Sequence, residues 1–463
     1  MASIISSGIG SGLDISGIVQ QLVAAEGQPL ETRLGLKEVE AQAKLSAFGS
    51  LKSALSSVRD KLETMTSADK FLVRQATSSN EDIFTVSADT DAVPARYAVE
   101  VVQTATSQKL TSGAFTGADA VVGVGTLTID VGASRMILDI STENNTLAGI
   151  RDAINSSTSN PGVSATIVNA DSGSYLILTA DDTGSSNTLT VTQAGGDGGL
   201  AALEYDPANS LMAMTESLPA QDAIIRIDGL EVMSSSNTFT GAVEGVSISV
   251  LSDSAGLSES LLVENDISAT KTLVEDFVNA YNEMITTIDS LTAYSAESEQ
   301  AAPLLGDSTI RGIRDQIRRE MSTAVTDIDA SFSTLSEVGI ELQLDGSLSI
   351  NDTRLSEVLA EDFVKFGQLF STTDGFATRL HELTDGFLES DGIIESRTQG
   401  LTAQIDGITD DREALNDRLL ALETRLLRQF NALDSLLAQL STTSNFLSQQ
   451  LANLPGVSNS GGG

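Results

Sequence analysis

Two long apolar stripes of helical spacing sit at opposite ends of this chain, and strand-like alternation fills the space between them. One stripe runs Phe48, Leu51, Leu55, Val58, Leu62, Met65, and the other Leu401, Ile405, Ile408, Leu415, Leu419, Leu422, Leu426. Steps of three and four keep such residues on one side of a helix and mark a bundle or coiled-coil partner. Residues 80–265 read instead as strands and turns. Helical ends around a large β insertion make a chain that assembles through its termini and displays its middle.

Charge supports that division. The formal net charge is −38, with residues 1–80 neutral, 81–270 at −20 and 271–463 at −18. A neutral N-terminal arm can approach other protein closely, whereas the acidic middle repels nucleic acid and anionic lipid. The 463 residues exceed what one core serves, so three or four domains are expected. With no cysteine there is no disulfide framework, thiolate nucleophile or cysteine zinc site. No positive charge precedes Arg33 and no apolar run approaches the roughly 20 residues of a membrane span, so neither a cleaved signal nor membrane insertion is expected.

Along the chain, Asp14 or Ser16 is placed to cap a helix bearing Ile15, Ile18, Val19, Leu22 and Val23, which Gly27 and Pro29 should interrupt before a second helix over about 30–66. Alternation then predicts strands around Phe84–Ala88 and Tyr97–Val101, at Thr126–Val131, Met136–Ile140, Ser164–Val168, Tyr175–Thr179 and Thr188–Thr192, and at Ala242–Leu251. A single helix, Thr146–Asn155, breaks the series. Residues 194–220 lose all period and read as a linker. Asp228-Gly229 is a type I′ hairpin signal, and Asp345-Gly346 marks a second hairpin inside the returning helical pattern. Phe277, Tyr281 and Met284 continue that pattern.

Chemistry-bearing patterns are sparse. His381 is the only histidine and lies on the wetter side of its helix, without a nucleophile or orienting acid in a triad pattern. Gly8-Ile9-Gly10-Ser11-Gly12 lacks the preceding strand that a dinucleotide loop requires. Asp181-Asp182 and Asp197 could offer calcium oxygens but fit no twelve-residue loop. Arg311, Arg314, Arg318 and Arg319 form a basic side of one helix and are expected to pair with nearby acids. Catalytic, cofactor and metal sites are all read as none, and an enzyme is not expected.

Several ordered segments resemble one family. They are Gly10-Ser11-Gly12-Leu13-Asp14 with Ile18-Val19, Leu22-Val23 and Pro29-Leu30; Tyr97 to Gln103; Asp228-Gly229, Ser236-Asn237 and Gly245-Val246; Phe277 to Asn282; Leu305 to Ser308; Val338-Gly339-Ile340; Asp345-Gly346; and Gln429-Phe430 with Asp434. In this order they are similar to the flagellar filament cap proteins, the hook-associated protein 2 or FliD family. Thr104-Ala105 departs from a Leu-Ala pair common there. Residues 125–192 also resemble a segment of flagellins.

The resemblance implies a ring-forming homo-oligomer at the distal tip of the bacterial flagellum, exported without a cleaved signal by the flagellar apparatus. It further implies flagellin subunits, hook-associated junction proteins and an export chaperone at the C-terminal helix as partners; the acidic β region could also meet a host mucin or glycan. The rival readings are a secreted adhesin, a junction protein or a flagellin-like axial component. The expected fold is multidomain α+β: terminal coiled-coil-like helices, a helical bundle domain with a β-hairpin, and two inserted mainly-β domains. Residues 1–45 and 405–463 are expected to be legs, mobile in the monomer, and 46–78 with 267–404 the helical body. Residues 79–105 with 220–266 form one β domain, and 106–219 a distal β domain inserted in it. The assembly interface is assigned to Leu13, Ile15, Ile18, Val19, Leu22, Val23, Leu419, Leu422, Leu426, Phe430, Leu433, Leu437 and Leu440. The body seam is assigned to Phe48, Leu51, Leu55, Val58, Leu62, Phe277, Tyr281 and Met284.

Overall fold

The structure, a computed structural model, describes residues 12–296, 299–326 and 328–452. The glycine-rich segment before Gly12 and the final glycines lie outside the described residues. Two compact units are present, Met1–Ala68 with Thr272–Gly463, and Asp69–Lys271. The fold is multidomain α+β.

Helices dominate the first unit. They are α1 (Ile15–Met65); α3 (Ile267–Thr292), numbered after the β unit's α2 (Leu147–Ser156); α4 (Ser308–Ser322); α5 (Asp352–Glu361); α6 (Phe363–Ser371); α7 (Phe376–Leu388); and α8 (Ile393–Ala452). Asp14 caps α1 by accepting a bond from the Gly17 amide at 3.0 Å. Contrary to expectation, α1 passes Gly27 and Pro29 unbroken. A helix-interior proline loses one backbone bond and strains the preceding turn. Packing of the same stretch against α8 offsets that cost.

The Phe48–Met65 stripe and the body seam residues Phe277, Tyr281 and Met284 are all buried. In that interior the Tyr281 phenol is pushed up to about 12 by burial, against the opposing pull of Arg314 and Arg318. Salt bridges tie this half of α1 to α3 through Lys61–Asp276 at 2.7 Å, and to α7 through Arg59–Asp385 at 3.6 Å. The predicted hairpin is present as Ile340–Leu342 with Leu348–Ile350, but its loop is longer than Asp-Gly, and Leu344 stands in solvent.

The β unit contains two β layers pairs. In the inner domain, one antiparallel sheet has the order Arg74–Ser78, Glu259–Asn265, Ala95–Gln103, Ala223–Ile227, Leu230–Ser234. It packs through Val99, Val101, Ile225 and Leu261 against a second sheet of Thr238–Val243, Val246–Val250 and Phe84–Ala88. The first strand was expected in the helical body. Its polar run Gln75-Ala76-Thr77-Ser78 hides the strand period, and the ladder with Glu259–Asn265 reveals it. Asp228 and Gly229 both take positive φ, 50° and 83°, as a type I′ turn requires. The expected single strand 242–251 is two strands joined at Gly245, where φ is +70° and a β-carbon would meet the Ala92 amide nitrogen at 2.5 Å.

The outer domain pairs Gly125–Val131 with Ser134–Ile140 and Leu189–Ala194, and Gly173–Ala180 with Val163–Ala170 and Lys109–Thr111. Its helix α2 is capped by Thr146 and buries Leu147, Ile150 and Ile154, as the spacing predicts. Residues 194–220 are not a linker. Tyr205–Asp206, Leu211–Met212 and Thr215–Leu218 extend both sheets, and Leu200, Leu203, Tyr205 and Met214 enter the core. Strands this short show no period.

Candidate assembly interface

Helices α1 and α8 lie side by side and antiparallel. Arg418 of α8 bonds Glu26 of α1 at 3.1 Å, Arg412 meets Glu31 at 2.9 Å and also Glu38, and Glu395 meets Lys52 at 3.2 Å. Partners thus descend α8 as they ascend α1. Between these polar rims Leu30 and Leu34 pack with Ile408, Leu415 and Leu419. The C-terminal stripe is therefore covered by the first half of α1, while the Phe48–Met65 stripe belongs to the bundle. The two leg segments are expected to have stripes partly exposed in the monomer; here each covers part of the other.

The pairing sorts the assigned interface residues into three groups. Ile15 and Val19 are buried. Ile18, Val23, Leu419, Leu422, Leu426 and Phe430 are half-buried. Leu13, Leu22, Leu433, Leu437 and Leu440 are exposed. The register through Glu26 and Arg418 brings the start of α1 level with about residue 429 of α8. Beyond that level the stripe continues as Leu433, Leu437, Leu440, Leu447 and Leu451. Exposure rises from 5% at Ile408 and 8% at Leu415 to 49% at Leu433, 57% at Leu440 and 54% at Leu447.

Grooves flank the helix pair. One, of about 700 Å³, is lined by Val23, Ala24, Gly27, Leu415 and Leu419 together with Glu31 and Arg412. Another, of about 300 Å³, is lined by Leu30, Arg33, Leu34, Leu415 and Arg418. Neither converges catalytic groups. Gly27 is the buried contact residue of this pair that breaker logic missed. Its place between Val23 and Leu30, at seam spacing, is the signal that could have found it.

Several of the remaining sequence candidates have structural partners. The Asp197 carboxylate accepts from the Gly199 and Val124 amides, which hold it below the usual carboxylate range. Asp181 accepts from the Ser164 hydroxyl at 2.6 Å. Among the described residues no cluster of three metal-ligating side chains occurs and no helix is long and apolar enough to cross a membrane. Arg314 bonds Asp289 at 2.9 Å and the Asp345 carbonyl, and Arg311 reaches the Gly306 carbonyl. His381 is half-buried on α7.

Profiles of the flagellar hook-associated protein 2 N-terminus and C-terminus match residues 11–108 and 220–442, and the flagellin hook IN motif matches 126–182. The flagellar hook-associated protein 2 of Escherichia coli strain K12 is 35% identical, over 98% of this chain and 99% of that protein. The chain belongs to the hook-associated protein 2 family. The A-type member from Pseudomonas aeruginosa is 33% identical over 97% of this chain and 98% of its own length. The crystal structure of the D1-D2-D3 domains of the Escherichia coli flagellar cap protein FliD superposes with TM-score 0.67 at 32% identity. It spans 77% of this chain and all but 1% of that one. Hook-associated protein 2 is the structural cap of the flagellar filament, as the segment resemblance implies. The flagellin likeness is confined to the outer β domain, and the adhesin and junction-protein readings gain no support.

Proposed function

We propose that this chain caps the distal tip of a bacterial flagellar filament as a ring of identical copies, retaining exported flagellin and promoting its folding and insertion. In this reading the α1–α8 pair is the leg that engages flagellin subunits. The observation that carries it is the apolar ridge of α8, uncovered from Leu433 onward and continuous with a seam that is already a helix–helix contact. Covering such a ridge yields about 25 cal/mol per Å² of apolar surface before ordering costs. Junction proteins, to which a first cap must attach, and an export chaperone are further partners for the same stretch. The acidic β domains, carrying about half of the surplus charge, face solvent at the tip. Export without a cleaved signal suits a chain free of cysteine.

Gold-labelled protein imaged on growing filaments tests this reading. Label at the tip alone supports it, and label along the filament or at its base contradicts it.

A further inference from the structure

The outer β domain joins the inner one through two chain crossings. One passes Thr104-Ala105-Thr106 and the other Pro219 to Asp222. They are bridged to each other by the Thr106 and Gln221 amides, which donate to the opposite carbonyls at 3.0 and 3.2 Å. The Gln221 side chain adds a bond to the Thr104 carbonyl at 3.0 Å, and the Asn237 amide holds both backbone groups of Ala105, at 2.7 and 3.0 Å. Two adjacent strands bonded to one another make a hinge line, about which a domain remains free to turn.

A third attachment is not a chain crossing. The outer-domain loop at Thr183-Gly184-Ser185 lies against the inner domain. Thr183 Oγ1 donates to the Ser235 carbonyl at 2.7 Å, and the Ser185 amide and hydroxyl donate to the two carboxylate oxygens of Asp222, each at 2.7 Å. Between them the Gly184 amide donates to the Thr106 carbonyl. Gly184 is buried with φ +104°, and a β-carbon there would lie 2.7 Å from both the Cβ and the carbonyl oxygen of Ser235. The approach is closed to every residue with a side chain.

We propose that this loop is a latch that fixes the angle between the two β domains, so that they move as one rigid arm. A hinge line constrains two rotations, and the seat on Ser235 removes the third. Displacement of the outer domain is thereby transmitted to the inner one. The inference rests on the junction alone and stands apart from the cap reading.

Because the full-length chain has no cysteine, Thr90→Cys in the inner domain and Ser134→Cys in the outer one can be spin-labelled specifically. Pulsed electron resonance then reads the distance between them. The parent should give one narrow distribution. The double variant Thr183→Val with Asp222→Ala, which removes side-chain bonds at exposed or half-buried positions, should lose that narrow peak while far-ultraviolet dichroism stays unchanged. Gly184→Val should do the same. A broad parent distribution overturns the proposal, and so do folded variants as narrow as the parent.

Discussion

Gly27 faces Leu419 so closely that a β-carbon at position 27 would lie 2.6 Å from Leu419 Cδ1. The neighbour is the tip of a flexible side chain, so alanine requires only a small shift and also gains helix propensity. A branched side chain has no such room. Gly27→Val should weaken the α1–α8 pair by about 1–3 kcal/mol, whereas Gly27→Ala should change little. Amide hydrogen exchange over residues 15–34 checks both, with faster exchange expected in the valine variant alone.

Asp307 performs two tasks at once. Its carboxylate caps α4 by accepting from the Thr309 amide at 2.7 Å and pairs with Arg397 of α8 at 2.6 Å. Asp307→Ala should cost about 1–2 kcal/mol in thermal or denaturant unfolding. Asp307→Ser keeps a capping oxygen and should lose less. Equal losses would show that the ion pair alone matters.

The Asn282 side chain closes both backbone groups of Leu348, donating to its carbonyl at 2.9 Å and accepting from its amide at 2.7 Å. It thereby docks the 340–350 hairpin on α3. Asn282→Ala leaves a partly buried N–H and C=O unpaired, so a loss of about 1–3 kcal/mol is expected in the unfolding midpoint.

These residues also explain how much could be read from sequence. Asn282, Asp307, Asp228 and Asn237 all lie in the segments that carried the family resemblance. Asn282, Asp228 and Asn237 bond backbone from a distant part of the chain, and Asp307 joins its own helix cap to Arg397 of α8, tasks that tolerate few residue types. The α2 and hairpin assignments were legible because period and turn residues agreed. The edge strand Arg74–Ser78 and the short strands between 205 and 218 were not, because polar or two-residue strands carry no period. The breaker reading of Gly27-Gln28-Pro29 failed for another reason: the partner that makes an absent side chain useful lies nearly four hundred residues away. The division of the interface residues into covered and uncovered groups depends on helix register, which spacing alone does not encode.

Asp374 accepts from the amide and hydroxyl of Thr326, at 2.8 and 2.9 Å, and from Arg379 at 2.9 Å. The Thr326 amide first, then Arg379 and the Thr326 hydroxyl, hold its carboxyl below the ordinary range. A depressed folded value means this stabilisation is complete above the unfolded value near 3.9 and is lost as pH falls through the folded one. Asp374→Asn should therefore lower stability at neutral pH and flatten the acid limb of the stability profile. Unfolding midpoints measured from pH 7 down to about 2 check the slope.

The most direct test of the account concerns the uncovered ridge. Leu437→Asp with Leu440→Asp alters two exposed side chains beyond the level where α1 begins. The account predicts an unfolding midpoint like the parent's, together with loss of tip attachment and intact flagellin monomer released into the medium. Normal filaments capped by this folded variant would contradict it.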